Sequence, residues 1–160
     1  MPGFDFIVLD SYPLGNAALP LVRPSSTLTE SERCRQWMAD CEAAGSVLLV
    51  PAIAYYEEVR DLYQRQAFAK VPRFQQFCFD PARYIPLTRD HLTNAAQLWG
   101  QMRRTGQTTA DKHALDGDAI LAAQVLSLNL QPGAFTVVTR NAAHITRFGL
   151  PAESWENIKP

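Results

Sequence analysis

Four short stretches hold the residues able to do chemistry. The densest is Leu115–Gln124, where Asp116 and Asp118 stand on either side of Gly117 and lead into Ala119-Ile120-Leu121-Ala122-Ala123. A short carboxylate accepts well from the free N–H groups of a first helical turn. Asp116 therefore reads as an N-cap, and Asp118 as a first-turn acid favoured by the helix dipole. The second stretch is Asp10, which closes the apolar run Phe4–Leu9. The third is Glu57-Glu58, inside a helix expected to begin near Ala52, and the fourth is Thr139-Arg140-Asn141 after another apolar run. Each has a plain alternative reading: a helix cap, a solvated acidic pair, a polar turn. Brought to one edge, however, such acids offer hard oxygen donors around open water positions, which suit Mg²⁺ or Mn²⁺. Clustered carboxylates repel one another unless a cation resides among them. Ions held this way bridge a phosphodiester and activate a water for in-line attack. Zinc is not indicated, because His91, His113 and His144 are scattered and Cys34, Cys41 and Cys78 form no Cys-x-x-Cys pair. There is also no G-x-G-x-x-G, phosphate-binding loop or serine-hydrolase elbow.

What must position these residues is an alternation of strands and helices. Strands are expected at Phe4–Leu9, Ser46–Val50, Tyr84–Leu87 and Ala134–Thr139, with a last edge strand at 155–158. The continuous apolar character of Val47-Leu48-Leu49-Val50 fits a strand covered on both faces. A helix with a Thr29/Glu32 capping box runs to Ala44, where Gly45 stops it. The next runs from Ala52 with Ile53, Tyr56, Val59 and Tyr63 as its apolar face. A short helix follows around Arg73–Phe79, and Thr88-x-x-His91 opens a long one ending at Arg103-Arg104. The polar loop Gln107–Ala114, with Asp111, precedes the acidic helix, and a short helix bears His144. Arg60, Arg65, Lys70 and Arg73 form either a phosphate-facing rim or a plain solvated face. Such alternation is the mark of an α/β chain with a mainly parallel sheet in three α/β/α layers. Ligands of such sheets bind at the carboxyl ends of the strands, where Asp10 and Asn141 would lie.

Composition narrows the class. The chain has 160 residues, 47% hydrophobic and 19% charged, which suits a single folded domain spanning 1–160 rather than a disordered segment. A formal net charge of −1 gives no global basic signal, so any polyanion must be met by a local patch or through metal ions. No apolar run reaches the ~20 residues of a membrane helix. Met-Pro-Gly-Phe-Asp lacks the pattern of a signal peptide, and unpaired cysteines fit a reducing, cytoplasmic setting.

In this order, the stretches resemble a PIN domain, the metal-dependent nuclease fold of VapC-type toxins in toxin–antitoxin pairs. The resemblance rests on Val8-Leu9-Asp10-Ser11, on Pro51-Ala52-Ile53-Ala54-Tyr55-Tyr56-Glu57, on Asp118-Ala119-Ile120-Leu121-Ala122-Ala123 and on Val138-Thr139-Arg140-Asn141. It spans nearly the whole chain. It implies that Asp10, Glu57 and Asp118 are catalytic metal ligands for Mg²⁺ or Mn²⁺, with Glu57 or Asp118 also orienting the attacking water. Asn141 falls where many members carry an acid, so the site loses one charge, which Asp116 or Asp111 would make up. Ser11 and Arg140 are expected to contact substrate, with Arg23 as a further local cation, and Tyr12 to narrow the entrance. The implied function is hydrolysis of RNA phosphodiesters by a homodimer paired with an antitoxin that blocks the acidic edge. The helices around Trp37 and Trp99 are expected at the dimer interface. Asn141 and Tyr12 favour a rival, a non-catalytic PIN fold binding RNA or protein. A metal-dependent phosphatase is disfavoured, since strand one does not end in Asp-x-Asp.

Overall fold

The computed structural model describes residues 3–23, 25–107 and 112–160. Its elements run β1 (Phe6–Leu9), α1 (Ser11–Gly15), α2 (Glu30–Ala43), β2 (Val47–Pro51), α3 (Ala52–Gln64), α4 (Val71–Cys78) and β3 (Tyr84–Ile85). They continue with α5 (Arg89–Arg104), α6 (Lys112–Leu126), β4 (Phe135–Val138), α7 (Ala142–Thr146) and β5 (Ala152–Glu153). The five strands form one sheet in the order β3-β2-β1-β4-β5. Every pairing is parallel: Val8 of β1 lies opposite Leu49 on one side and Val137 on the other.

Pleating divides the core between the two faces. Ile7 and Leu9 point into a cluster with Leu14, Met38, Val59 and Phe74 from α1 to α4. Val8 points the other way, into a cluster with Leu115, Leu121, Ala122 and Ile145 from α6 and α7, closed by Ala95 and Met102 of α5. Burial on both faces explains why β1, β2 and β4 read as unbroken apolar runs rather than alternating ones. Thr29 and Glu32 make both bonds of the expected capping box at the start of α2, and Thr88 and His91 do the same at α5. Gly45, with φ of +104°, turns the chain from α2 towards β2 in a conformation that glycine adopts without strain.

Several expectations are corrected. The acidic helix begins at Lys112, so Asp116 is an interior residue and not the N-cap, and Asp118 lies in the second turn rather than the first. Leu115 is the reason: it is 2% exposed, and burying it extends the helix back past the acid. Part of the expected polar loop is thus helical, and Asp111 lies outside the described residues. The last strand is Ala152–Glu153, paired with Val137 and Val138, while Trp155–Asn157 is a 3-10 turn. On α3 the buried positions are Ala52, Ala54, Val59 and Leu62, and Tyr56 and Tyr63 stand in solvent. Trp37 belongs to the core: its indole donates to the carbonyl of Ile158 at 3.0 Å and its ring meets Trp155 at 6.0 Å. It is therefore unavailable to an interface between copies. All three cysteines are free and buried. Among the described residues no helix is long and apolar enough to cross a membrane.

Candidate active site

The carboxyl edge of the sheet gathers the acids. β1 delivers Asp10 beside the end of β4, because Leu9 lies opposite Val138 in the register. The Asp10 carboxylate is held from both sides. Its Oδ1 accepts from the Ser11 N–H at 2.8 Å, capping α1, and its Oδ2 accepts from the Thr139 hydroxyl at 2.7 Å. Thr139 is itself fixed, since its Oγ1 accepts from the Asn141 N–H at 3.0 Å. Asp10 thus caps a helix and faces the site at once. Burial raises its pKa above the usual carboxylate value, and the bonds from Thr139 and Ser11 oppose that rise.

Glu57 lies in the second turn of α3, and Glu58 follows it. Successive helical residues point about 100° apart, and glycines on two different helices receive the two carboxylates. A Cβ on Gly117 of α6 would fall on Glu57 Oε1, and a Cβ on Gly15 of α1 would fall on Glu58 Oε1. Gly117 is therefore a clearance that lets Glu57 reach the α6 side. The Glu57 carboxyl is raised by burial and then by the charge of Asp10, with a bond from the Ser11 side chain lowering it. Glu58 is raised to about 7 by burial, but it belongs to the α1 side, with Arg65 at 3.6 Å.

Asp118 completes the group. Burial, then the charges of Asp10 and Glu57, push its pKa from 3.8 to about 7, with Arg147 acting against them. Its Oδ2 is buried and has no hydrogen-bond partner among the described residues. His144 Nδ1, one turn into α7, is 3.5 Å from that oxygen, which is long for a hydrogen bond. Three carboxylates on β1, α3 and α6 therefore share one electrostatic field, and one buried oxygen lacks a donor.

The remaining candidates are placed otherwise. Asp116 is two residues before Asp118 and so about 200° around the helix. Half exposed, it has His113 Nδ1 at 3.9 Å and lines an apolar hollow with Leu92 and Trp99 of α5. The structure turns it away from the acids. Asn141 stands at the expected edge, exposed, as the residue before α7, and its side chain makes no cap bond. Arg140 is engaged: its guanidinium lies 3.1 Å from the Tyr12 ring centroid and its Nη2 donates to Glu30 Oε1 at 3.2 Å. Tyr12 donates to the same oxygen at 2.6 Å, so the three side chains form a clasp beside Asp10. Ser11 serves Asp10 and Glu57. Arg23 is exposed in the connection before α2.

Sequence reasoning missed four supports: Thr139, Gly117, His144 and Gln124. The wholly buried Gln124 accepts from the Ile53 N–H at 3.2 Å and donates to the Ile85 carbonyl at 2.8 Å. Pro51 offers α3 no side-chain cap, so this amide from α6 satisfies one of the free N–H groups at the start of the helix that bears Glu57. It joins the elements of Glu57 and Asp118. A polar residue inside an apolar helical stretch was its sequence signal.

The donor set at this edge comes from Asp10, Glu57 and Asp118. It is all oxygen, it carries mutual repulsion, and it includes an unpartnered buried carboxylate oxygen, which suits a hard divalent ion. Among the described residues no group of three or more His, Cys, Asp or Glu side chains is arranged to hold a metal ion on its own, so a cation here would take fewer protein ligands and more water. Mg²⁺ is compatible with that openness, because it keeps several waters and takes one or two carboxylates.

No protein-family sequence model matches the chain. No curated protein matches it by sequence. Solved structures do match in fold. A chain of VapBC-1 from nontypeable Haemophilus influenzae superposes with a TM-score of 0.61 at 15% identity, covering 95% of this chain and 99% of that one. A chain of VapBC2 from Rickettsia felis, in a structure bound to a promoter DNA fragment, gives 0.62 at 15% identity, covering 94% and 98%. FitAcB from Neisseria gonorrhoeae gives 0.56 at 18% identity, covering 95% and 99%. The fold is thus a five-stranded parallel α/β/α sandwich with acids at its carboxyl edge. It is the fold shared with these VapBC and FitAcB chains.

Proposed function

We propose that the protein is a divalent-metal-dependent endoribonuclease, acting as the toxin of a toxin–antitoxin pair. The observation that carries the reading is the convergence of Asp10, Glu57 and Asp118, with the Asp118 oxygen left unpartnered. Among the described residues the cations nearest these charges are Arg147 and Arg60, with His144 Nδ1 at 3.5 Å from Asp118 Oδ2. Asp10, Glu57 and Asp118 would hold Mg²⁺ or Mn²⁺. When bound, such an ion polarises a phosphodiester and lowers the pKa of its water.

The chain's own residues do the rest. Thr139 and Ser11 fix Asp10 in one orientation, so the edge is preorganised rather than assembled on binding. Glu57, reaching past Gly117, would orient the attacking water and accept its proton at Oε1. Asp118, across from Glu57 on α6, would share the orienting of that water. Ser11, at the N-terminus of α1 beside Asp10, would contact a scissile phosphate. Arg140 reaches substrate only by leaving the Tyr12–Glu30 clasp.

The similar structures are complexes of paired proteins, and two also contain DNA. On that ground we assign this chain an antitoxin that docks across the acidic edge; a homodimeric toxin follows from the sequence resemblance instead, and a cytoplasmic site of action from the unpaired cysteines. Asn141 favours a second reading, in which the fold binds RNA or protein without cutting, because an exposed amide stands where a further acid would add charge. The two readings separate in one assay. Labelled structured RNA is incubated with purified protein in Mn²⁺ or Mg²⁺, beside EDTA and an Asp118→Asn variant. Cleavage abolished in both controls supports the nuclease. Absence of cleavage with retained RNA binding supports the binding module.

A further inference from the structure

A second polar hollow lies on the α2–α4 face, lined by Ala17, Arg35, Glu42, Arg73, Phe77 and Arg83, with a volume of about 300 Å³. None of these residues belongs to the acidic edge. Three guanidiniums meet one carboxylate there, in a chain whose net charge is −1. Arg83 is committed to that carboxylate: its Nε donates to Glu42 Oε1 at 3.1 Å, and its Nη2 makes a closer contact with the same oxygen. Arg83 also donates to the Phe77 carbonyl at 3.3 Å and lies over the Phe77 ring at 4.1 Å. Glu42 is thereby neutralised, and two cations are left over.

Neither of those has an anionic hydrogen-bond partner among the described residues. Arg35 donates through Nε to the Leu19 carbonyl at 3.3 Å and stacks over the Phe77 ring at 5.6 Å. Its Nη1 is buried without a hydrogen-bond partner among the described residues. Arg73 makes only a 3.5 Å bond from Nη1 to the Ala18 carbonyl and is otherwise exposed. Burial lowers the Arg35 pKa, and the charges of Arg83 and Arg73 act in the same direction against the help of Glu42. A desolvated guanidinium N–H with no acceptor is costly. The group that relieves it is an anion presenting several oxygens to planar donor forks, a need that phosphate meets.

We propose that this hollow is a phosphate-binding site, formed by Arg35 and Arg73 and walled by the Arg83–Glu42 pair. The same chemistry belongs to free phosphate and to the phosphorylated end of a nucleotide strand, and the test distinguishes them. Metal-free protein in EDTA is titrated calorimetrically with inorganic phosphate, with a 5′-phosphorylated tetraribonucleotide and with its 5′-hydroxyl counterpart. Arg73→Glu, Arg35→Gln and, as a control on α5, Arg104→Gln are titrated alongside.

Saturable phosphate binding is expected, weakened at least about tenfold in both hollow variants and unchanged in the control. Tighter binding of the 5′-phosphorylated strand than of free phosphate identifies a strand end as the occupant, and equal binding identifies the free ion. Should Arg35→Gln fail to fold, the exposed Arg73 still carries the test. The proposal is overturned if the wild type binds no phosphate saturably, if folded Arg73→Glu binds it unchanged, or if glutarate binds as tightly as phosphate. The outcome is independent of RNA cleavage, since the acidic edge is without its metal in EDTA.

Discussion

Replacing Asp118 by Asn should stabilise the metal-free protein, and more so at alkaline pH. The Asp118 carboxyl titrates at about 7 in the folded chain against 3.8 for the free side chain, through burial and the charges of Asp10 and Glu57. A folded pKa above the unfolded one means that the native state keeps its proton where the unfolded state has lost it. Stability therefore falls as pH rises from about 4 to about 7, and the full cost applies above that. About three pKa units at 1.36 kcal/mol each set a ceiling of about 4 kcal/mol. Part of that is repulsion shared with two other acids, and water reaches a side chain that is 18% exposed. A gain of about 1–3 kcal/mol for Asp118→Asn at pH 8 follows. For a chain of this size that is roughly 3–10 °C in Tm. Thermal unfolding in EDTA at pH 8 and pH 4 measures it. The gain should be largely gone at pH 4, where the folded state keeps its proton and the unfolded state is itself near its midpoint. An Asn variant no more stable than wild type at pH 8, or equally stabilised at both pH values, refutes the reasoning.

Three further substitutions test the supports. Gly117→Ala should raise helix stability by up to about 1 kcal/mol yet displace Glu57 Oε1, cutting RNA cleavage by about a hundredfold. Melting and initial-rate assays read the two effects separately. Thr139→Val removes the donor to Asp10 Oδ2 and should cost about 1.5–3 kcal/mol at pH 8, measured by urea unfolding, with the cost shrinking as falling pH protonates Asp10 and removes the charge that the bond stabilises. Gln124→Leu strands the Ile53 N–H and the Ile85 carbonyl, so about 2–5 kcal/mol should be lost, and hydrogen exchange at Ile53 should accelerate.

The fold was legible because its strands are buried on both faces and its helices carry their own stop signals. Val47-Leu48-Leu49-Val50 and Phe135-Thr136-Val137-Val138 admit little else, and Thr29, Gly45 and Thr88 mark boundaries locally. The start of α6 was not legible, since it is set by Leu115 packing in a core whose partners are distant in sequence. Tyr56 and Tyr63 misled for a similar reason: apolar spacing showed a face, but tertiary packing chose Ala54, Val59 and Leu62 instead.

Within the site, Asp10 could be named from its place at the end of β1, whereas Glu57 and Asp118, each in the second turn of a helix, were named through the resemblance in motif order. Asp116 could not be dismissed until the helix start was known, because an N-cap and a second-turn residue face different ways. The supports were hidden for a different reason. Thr139 and Gln124 act across 129 and 71 residues of sequence, and Gly117 matters only because Glu57 arrives from another helix. Arg140 was visible as a cation, but its engagement by Tyr12 and Glu30 was not.

The central claim is that Asp10, Glu57 and Asp118 act as one divalent-cation site. Calorimetric titration of Mn²⁺ into metal-free protein at pH 8 tests it most directly, with Asp10→Asn, Glu57→Gln and Asp118→Asn beside the wild type and Asp116→Asn as the comparison. The account predicts saturable binding by the wild type and by Asp116→Asn, and its loss in each of the other three while they remain folded. Mn²⁺ binding that survives all three substitutions, or that disappears only with Asp116, would contradict it.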